Sequence, residues 1–304
     1  MNLSHDFVLG HYHLTTPDIR ALTKQIKVWV YASIKGAMIM GEKRIGKSYT
    51  IEFLLENIDK VVGQHCYAFS VLWKLQPHFN EKRFWTRLLG ATGFDTTLPG
   101  DADRLESRFY KRISLATEAA GIPVCFLIID ESQNISPTEF LFLCHLFNEL
   151  EKRKIRLYTL LFGQDELEHT KTLMEEANHG QVIARFMQHS FNMRGITSGR
   201  ALKSLLNQLD QLGFTQDALD APMPEDFRLA DIAATLWKAK VSVSVNRAEP
   251  RNKPWTMQTF QTVLAVILQH LSRRGAAELP MTEQDYQDII ELVYAEEQQR
   301  ADDE

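Results

Sequence analysis

Long apolar runs are missing from the 304 residues: none approaches the roughly 18 that a membrane-crossing helix needs, so no membrane partner is expected. Cysteine is scarce. Cys66, Cys125 and Cys144 form an odd set without metal-ligand spacing, and two of them lie in apolar runs. That argues against a disulfide framework or a zinc site and leaves buried thiols in a reducing cytosol. Met1-Asn2-Leu3-Ser4-His5-Asp6 has neither a basic n-region nor an apolar h-region, so no secretion signal is expected and the bacterial cytoplasm is the expected compartment. Repeats and low-complexity stretches are absent as well.

An excess of positive charge is also lacking. The net charge is −5, which by itself argues against a polyanionic partner. The distribution weakens that objection. Residues 276–304 hold ten acidic side chains and one basic one, Arg300, a net −9, which leaves +4 on residues 1–275. A mildly basic body with an acidic tail can bind a polyanion on a local patch. Apolar residues at 44% and charged residues at 24% are ordinary for a globular protein, and the length suits one large domain or a core with a small second domain.

Hydrophobic periodicity orders the chain. A helix over 17–33 leads in. Ala37-Met38-Ile39-Met40 is a short buried strand, followed by a helix over 46–57. A second strand spans 66–72, and helices follow over 79–90 and 102–120. Pro123 opens a third strand at 124–129. A helix over 138–153 and a fourth strand over 155–162 come next. Strands alternating with helices imply a parallel sheet covered on both faces. After residue 191 only helices remain, over 200–212, 226–240, 256–274 and 282–297, the last opened by a Thr282–Asp285 capping box. The expectation is an α/β core over 1–197, with residues 1–35 as a lead-in, and a smaller helical domain over 198–304 ending in an acidic helix.

Gly41-Glu42-Lys43-Arg44-Ile45-Gly46-Lys47-Ser48 matches G-x-x-x-x-G-K-[ST] between an apolar strand and a helix, with Tyr49 next in that helix. The glycines let backbone N–H groups face phosphate oxygens, and the helix N-terminus adds a favourable dipole. Lys47 then reaches the β- and γ-phosphates of ATP, and the Ser48 hydroxyl ligands Mg²⁺. The buried strand Phe126-Leu127-Ile128-Ile129 ends in Asp130-Glu131. Asp130 can hold Mg²⁺ and Glu131 can orient and deprotonate water; alone, such a pair would read as a helix cap. Gln164, at the end of the next strand, can touch the γ-phosphate, or be a solvated turn residue. Arg185 can act in trans on a neighbouring subunit's phosphoryl group, with Arg194 as the second candidate, or form a surface ion pair.

In this order the motifs resemble the AAA+ ATPases, and more closely the TnsC, TniB and MuB group of DNA-transposition regulators. The matching residues are 41–48, Leu127 to Glu131 with Ser132-Gln133-Asn134, Phe162-Gly163-Gln164 with Glu166-Leu167, and Ala184-Arg185-Phe186. The resemblance covers roughly residues 10–200. It implies a P-loop AAA+ core with a helical lid, and an ATPase that assembles rings or helical filaments on double-stranded DNA. Such an ATPase recruits a transposase to a target chosen with a target-selection protein. ExeA-type and Orc/Cdc6-like ATPases share these motifs and supply the alternative: signalling, secretion or replication loading. The family's lid often carries an arginine at the start of its penultimate helix. Here a longer stretch over 241–255 stands in that place, and Arg251 is the candidate.

DNA-backbone contact needs Lys and Arg. Lys74, Lys82, Arg83 and Arg87, interleaved with Trp73, Phe79 and Trp85, form one candidate stretch, and Lys74, Lys82 and Arg83 are the residues assigned to DNA. Residues 238–253, with five basic residues and Glu249, form another. Each also reads as a solvated face over core aromatics.

Overall fold

The computed structural model describes residues 14–96, 100–213, 227–251, 253–274 and 281–303. After α1 (Pro17–Tyr31) come β1 (Gly36–Met40), α2 (Lys47–Val62), β2 (Tyr67–Leu72), α3 (Glu81–Ala91) and α4 (Ala102–Ala119). Then follow β3 (Val124–Asp130), α5 (Pro137–Lys152), β4 (Arg156–Gly163), α6 (Glu166–Glu176) and β5 (Ser190–Asn192). Helices α7 (Gly199–Gln211), α8 (Ala233–Asn246), α9 (Met257–Arg274) and α10 (Glu283–Asp303) follow, with single turns between some of these elements.

The five strands pair in the order β2-β3-β4-β1-β5, every pair parallel. Gly-Ala-Met-Ile-Met in β1 is buried throughout, and β3 and β4 are buried at all but one position each. Such continuous apolar strands suit a parallel sheet covered by helices on both faces. Register sets the functional edge. Met40 lies opposite Gly163, Ile129 opposite Leu161 and Leu72 opposite Asp130. The C-terminal ends of β1, β3 and β4 therefore emerge at one edge, where ligands of open α/β sheets bind.

Two compact units divide the chain: Ala21–Lys43 with Lys47–Met193, and Arg194–Glu304 with Arg44–Gly46 and the described residues up to Arg20. The second has its own core, in which Leu202, Leu205, Leu236, Val243, Phe260, Ile267 and Ile290 are buried. The Thr282–Asp285 capping box is formed: the Thr282 N–H donates to Asp285 Oδ2 at 2.7 Å and the Asp285 N–H to Thr282 Oγ1 at 3.3 Å.

The elements differ from expectation in four places. β5 is a fifth strand where the periodicity ended strands at four; three residues with an exposed–half-buried–exposed pattern leave no readable signal. α6 was not anticipated, because it buries only Leu167 and Met174 and so carries no stripe. α2 continues five residues beyond the predicted end at 57. The helix expected over 226–240 runs instead as a 3₁₀ turn at Leu229–Ile232 and then α8 to Asn246, taking in part of the stretch read as an insertion. Val241-Ser242-Val243-Ser244-Val245 has the alternation of a strand, but burial of Val243 and Ser244 in the helical core overrides that preference.

Candidate functional site

Between β1 and α2 the backbone makes the turn that the glycine-rich motif predicts. Arg44 and Gly46 take positive φ, 64° and 105°. The second value suits only glycine, and a Cβ on Gly46 would stand 3.0 Å from Met257 Cγ. The Arg44 carbonyl accepts from the Gln258 N–H at 3.4 Å. Lys47 is buried at 7% exposure, and its Nζ donates to the carbonyls of Gly41 at 2.7 Å and Glu42 at 2.9 Å. Burial pushes the ammonium pKa down, against the pull of Glu131 and Asp130. Glu42, Lys43, Arg44 and Ser48 are exposed, Ile45 is buried and Tyr49 is half-buried.

The acid pair meets this loop. Ser48 Oγ donates to Asp130 Oδ2 at 3.1 Å across a sequence separation of 82. Two hard oxygen donors side by side are what Mg²⁺ takes. Burial pushes the Asp130 carboxyl up, opposed by hydrogen bonds from the Glu131 N–H and Ser48. Glu131 is left-handed, φ 55° and ψ 42°, and its N–H donates to Asp130 Oδ1 at 2.9 Å. A non-glycine residue there costs on the order of 1–3 kcal/mol, a strain that clusters at functional sites.

Gln133 escaped the sequence reading as a residue with a role of its own. Its Nε2 donates to Glu131 Oε2 at 2.5 Å, and its Oε1 accepts from the Gln164 N–H at 3.3 Å. The only signal available was its place two residues after Glu131. Gln164 is half-buried at the end of β4, beside the loop: the Gly41 N–H donates to the Gly163 carbonyl at 3.3 Å. Lys47, Ser48, Asp130, Glu131 and Gln164 therefore share one edge.

Arg185 does not join them there. Arg185 lies in a π-turn at Ile183–Met187, an element common at functional sites. Its guanidinium donates to Asn148 Oδ1 at 2.8 Å and lies over the Phe147 ring at 5.4 Å. Its carbonyl is so near Gly36 that a Cβ there would sit 2.0 Å away. Gly36 begins β1 and the P-loop follows its end, so about 16 Å of strand, at roughly 3.3 Å per residue, separates Arg185 from its own chain's loop. Arg194 is exposed, and its N–H and that of Gly195 donate to Asp18 Oδ2 at 2.9 and 2.7 Å. Arg251 is exposed in the turn after α8, whose backbone is organised by Lys240: this fully buried ammonium donates to the carbonyls of Arg251 and Lys253.

The basic stretch splits by depth. Trp73 and Trp85 are fully buried, so they are core, while Lys74, Lys82 and Arg83 are exposed. Arg87 turns inward and leaves the candidate set. Its guanidinium lies 4.6 Å over the Trp73 ring, donates to the Lys74 carbonyl at 3.1 Å and approaches Glu139 at 3.8 Å. Lys82 and Arg83 sit in the first turn of α3, behind Asn80, whose side chain accepts from the Arg83 N–H.

Residues 35–170, just under half of the chain, match the family model of the AAA domain. No curated protein matches the sequence. The structure is similar to the Aeropyrum pernix ORC2 protein, solved as ADPNP-ADP complexes, at 14% identity and TM-score 0.59 over 94% of this chain and 69% of that one. It is also similar to the Aeropyrum pernix ORC1 protein in complex with DNA, at 11% identity and TM-score 0.50 over 92% of this chain and 64% of that one. The sequence match, the strand order and these similarities agree: the fold is a P-loop AAA+ fold with C-terminal helices.

Proposed function

We propose that the chain is an oligomer-forming AAA+ ATPase that binds double-stranded DNA without sequence preference, selects transposition targets, and recruits or activates a transposase together with a target-selection protein. The observation that carries the ATPase part is the contact between Ser48 and Asp130 at 3.1 Å, beside Lys47. It joins a phosphate loop to a carboxylate 82 residues away, as an ATP·Mg²⁺ site requires. In this reading the backbone of residues 41–48 cradles the phosphates and Lys47 supplies charge to the β- and γ-phosphates. Ser48 and Asp130 would hold Mg²⁺, which would offset phosphate charge. Glu131 takes a proton from the attacking water, and Gln164 touches the γ-phosphate. Arg185, remote from its own loop, serves a neighbouring subunit's site. Arg251 stays the candidate lid arginine, residues 1–197 and 198–304 the core and lid, and the cytoplasm the site of action.

DNA contact falls to Lys74, Lys82 and Arg83. Lys82 and Arg83 share the first turn of α3 with Glu81, so one net positive charge opposes the helix dipole there, which a polyanion would offset. The fold likeness to ORC proteins, which spans the helical unit, favours a second reading: an origin-binding or loader ATPase. Filter binding separates the two. With ATP, retention of duplex DNA should be independent of sequence and should weaken with salt at a slope of about −0.9 per phosphate neutralised. Lys82→Glu with Arg83→Glu should abolish retention and leave nucleotide affinity unchanged. A preference on the order of 10³ for one sequence would favour the origin reading. No retention of any duplex at low salt would sink both.

A further inference from the structure

One side chain at the catalytic edge has no part in the roles above. Gln133, in the 3₁₀ turn Ser132–Asn134 after β3, spends both ends of its amide on the edge itself: Nε2 on the Glu131 carboxylate at 2.5 Å, Oε1 on the Gln164 N–H at 3.3 Å. The partners set the amide's orientation, since a carboxylate accepts only from the NH₂ end and an N–H donates only to the carbonyl end. A single side chain thus bridges the ends of β3 and β4. The bridge needs the residue before Gln164 to be small: a Cβ on Gly163 would stand 2.9 Å from Gln133 Oε1.

Glu131 is fixed at its backbone by a left-handed turn and by its N–H bond to Asp130, but its carboxylate hangs on rotatable bonds. Among the bonds recorded for the described residues, Gln133 is the group that holds that carboxylate. We infer that Gln133 is a positioning residue for hydrolysis. It sets where the Glu131 carboxylate stands and ties that place to the strand end that carries Gln164. The inference rests on the ATPase reading. If Gln164 meets the γ-phosphate, a shift of the β4 end reaches the base through this amide, and the base is aligned when the phosphate is read.

The experiment compares kcat and KM for ATP, ATP affinity and Tm in the wild type, Gln133→Met, Gly163→Ala, their double variant and Glu131→Gln. Methionine keeps the side chain's length and loses both hydrogen bonds, so a space-filling role would leave it active. The expected result for Gln133→Met is a fall in kcat on the order of tenfold, a part of the roughly 10²–10⁴-fold that a positioned base supplies, with KM, ATP affinity and Tm little changed. Gly163→Ala, which pushes the amide aside, should lower kcat similarly and add little in the Gln133→Met background, as residues acting through one contact do. A wild-type kcat in Gln133→Met, or a loss that follows Tm or ATP affinity, overturns the inference. Undiminished turnover in Gln133→Met beside lost turnover in Glu131→Gln overturns it alone. A wild type without turnover overturns the ATPase reading and this inference together.

Discussion

Asp130 stands where the electrostatics of the fold and the needs of a cation part ways. Its carboxyl is pushed up from the ordinary 3.8, chiefly by burial, even with the Glu131 N–H and Ser48 bonded to it. A folded-state pKa above the unfolded one means that ionisation costs stability. The cost is absent in acid, where the group is protonated in both states. It develops as pH rises through 3.8 and is complete above the folded value. Asp130→Asn keeps the shape and can still bond both partners, so it should raise Tm at neutral pH. The gain should vanish in acid, and ATP turnover should be lost. Thermal unfolding of wild type and variant at two pH values checks the first part; a variant no more stable than the wild type at neutral pH would refute it. Lys47 has the mirror-image problem, a buried ammonium with its pKa pushed down, and the two charges stabilise each other across the same edge.

At the scale of elements, β1 has a job at each end. Its last residue leads into the P-loop, and its first lies against the π-turn that holds Arg185. A Cβ on Gly36 would meet Arg185 O at 2.0 Å and Phe186 Cα at 2.8 Å, and backbone atoms in a packed turn cannot swing away. Gly36→Ala should therefore destabilise the fold by about 1–3 kcal/mol, the usual cost of overpacking, and lower Tm by several degrees. Urea unfolding gives the number, and an unchanged midpoint would show that the turn yields freely. α3 shows the same division of labour across its faces: Phe84, Trp85, Leu88 and Leu89 are buried while Lys82 and Arg83 face solvent. A stretch that mixes aromatics with cations can thus be core on one side and a polyanion surface on the other.

At the scale of the whole molecule, one chain holds two halves of the proposed reaction at opposite ends of one strand. Lys47, Ser48, Asp130 and Glu131 stand at the C-terminal edge, and Arg185 at the start of β1. On the proposed function, completion requires a second copy. Arg185→Ala should leave ATP affinity of the single chain intact and cut hydrolysis on the order of 10³-fold, the low end of what an arginine finger supplies. Mixed with Glu131→Gln, which lacks the other half, it should recover part of the activity. Recovery measured across mixing ratios is the check, and none at any ratio would reduce Arg185 to its local bond with Asn148.

The α/β class, the P-loop and the acid pair were legible because each is written in contiguous residues. A buried strand, a glycine-rich turn and a helix fall within 36–62, and β3 reads as an apolar run ending in two carboxylates. β5 and α6 were not legible, since three residues make no period and two buried side chains make no stripe. Nor was the inward turn of Arg87, which depends on Glu139 and Trp73 lying to either side of it. The sequence by itself determined which residues could do chemistry on a phosphate. Only the tertiary structure decided which of them meet, because the register of β1, β3 and β4 brings Lys47, Ser48, Asp130, Glu131 and Gln164 to one edge, sends Arg185 to the other, and lets Gln133 reach Gln164, 31 residues on, across two strand ends.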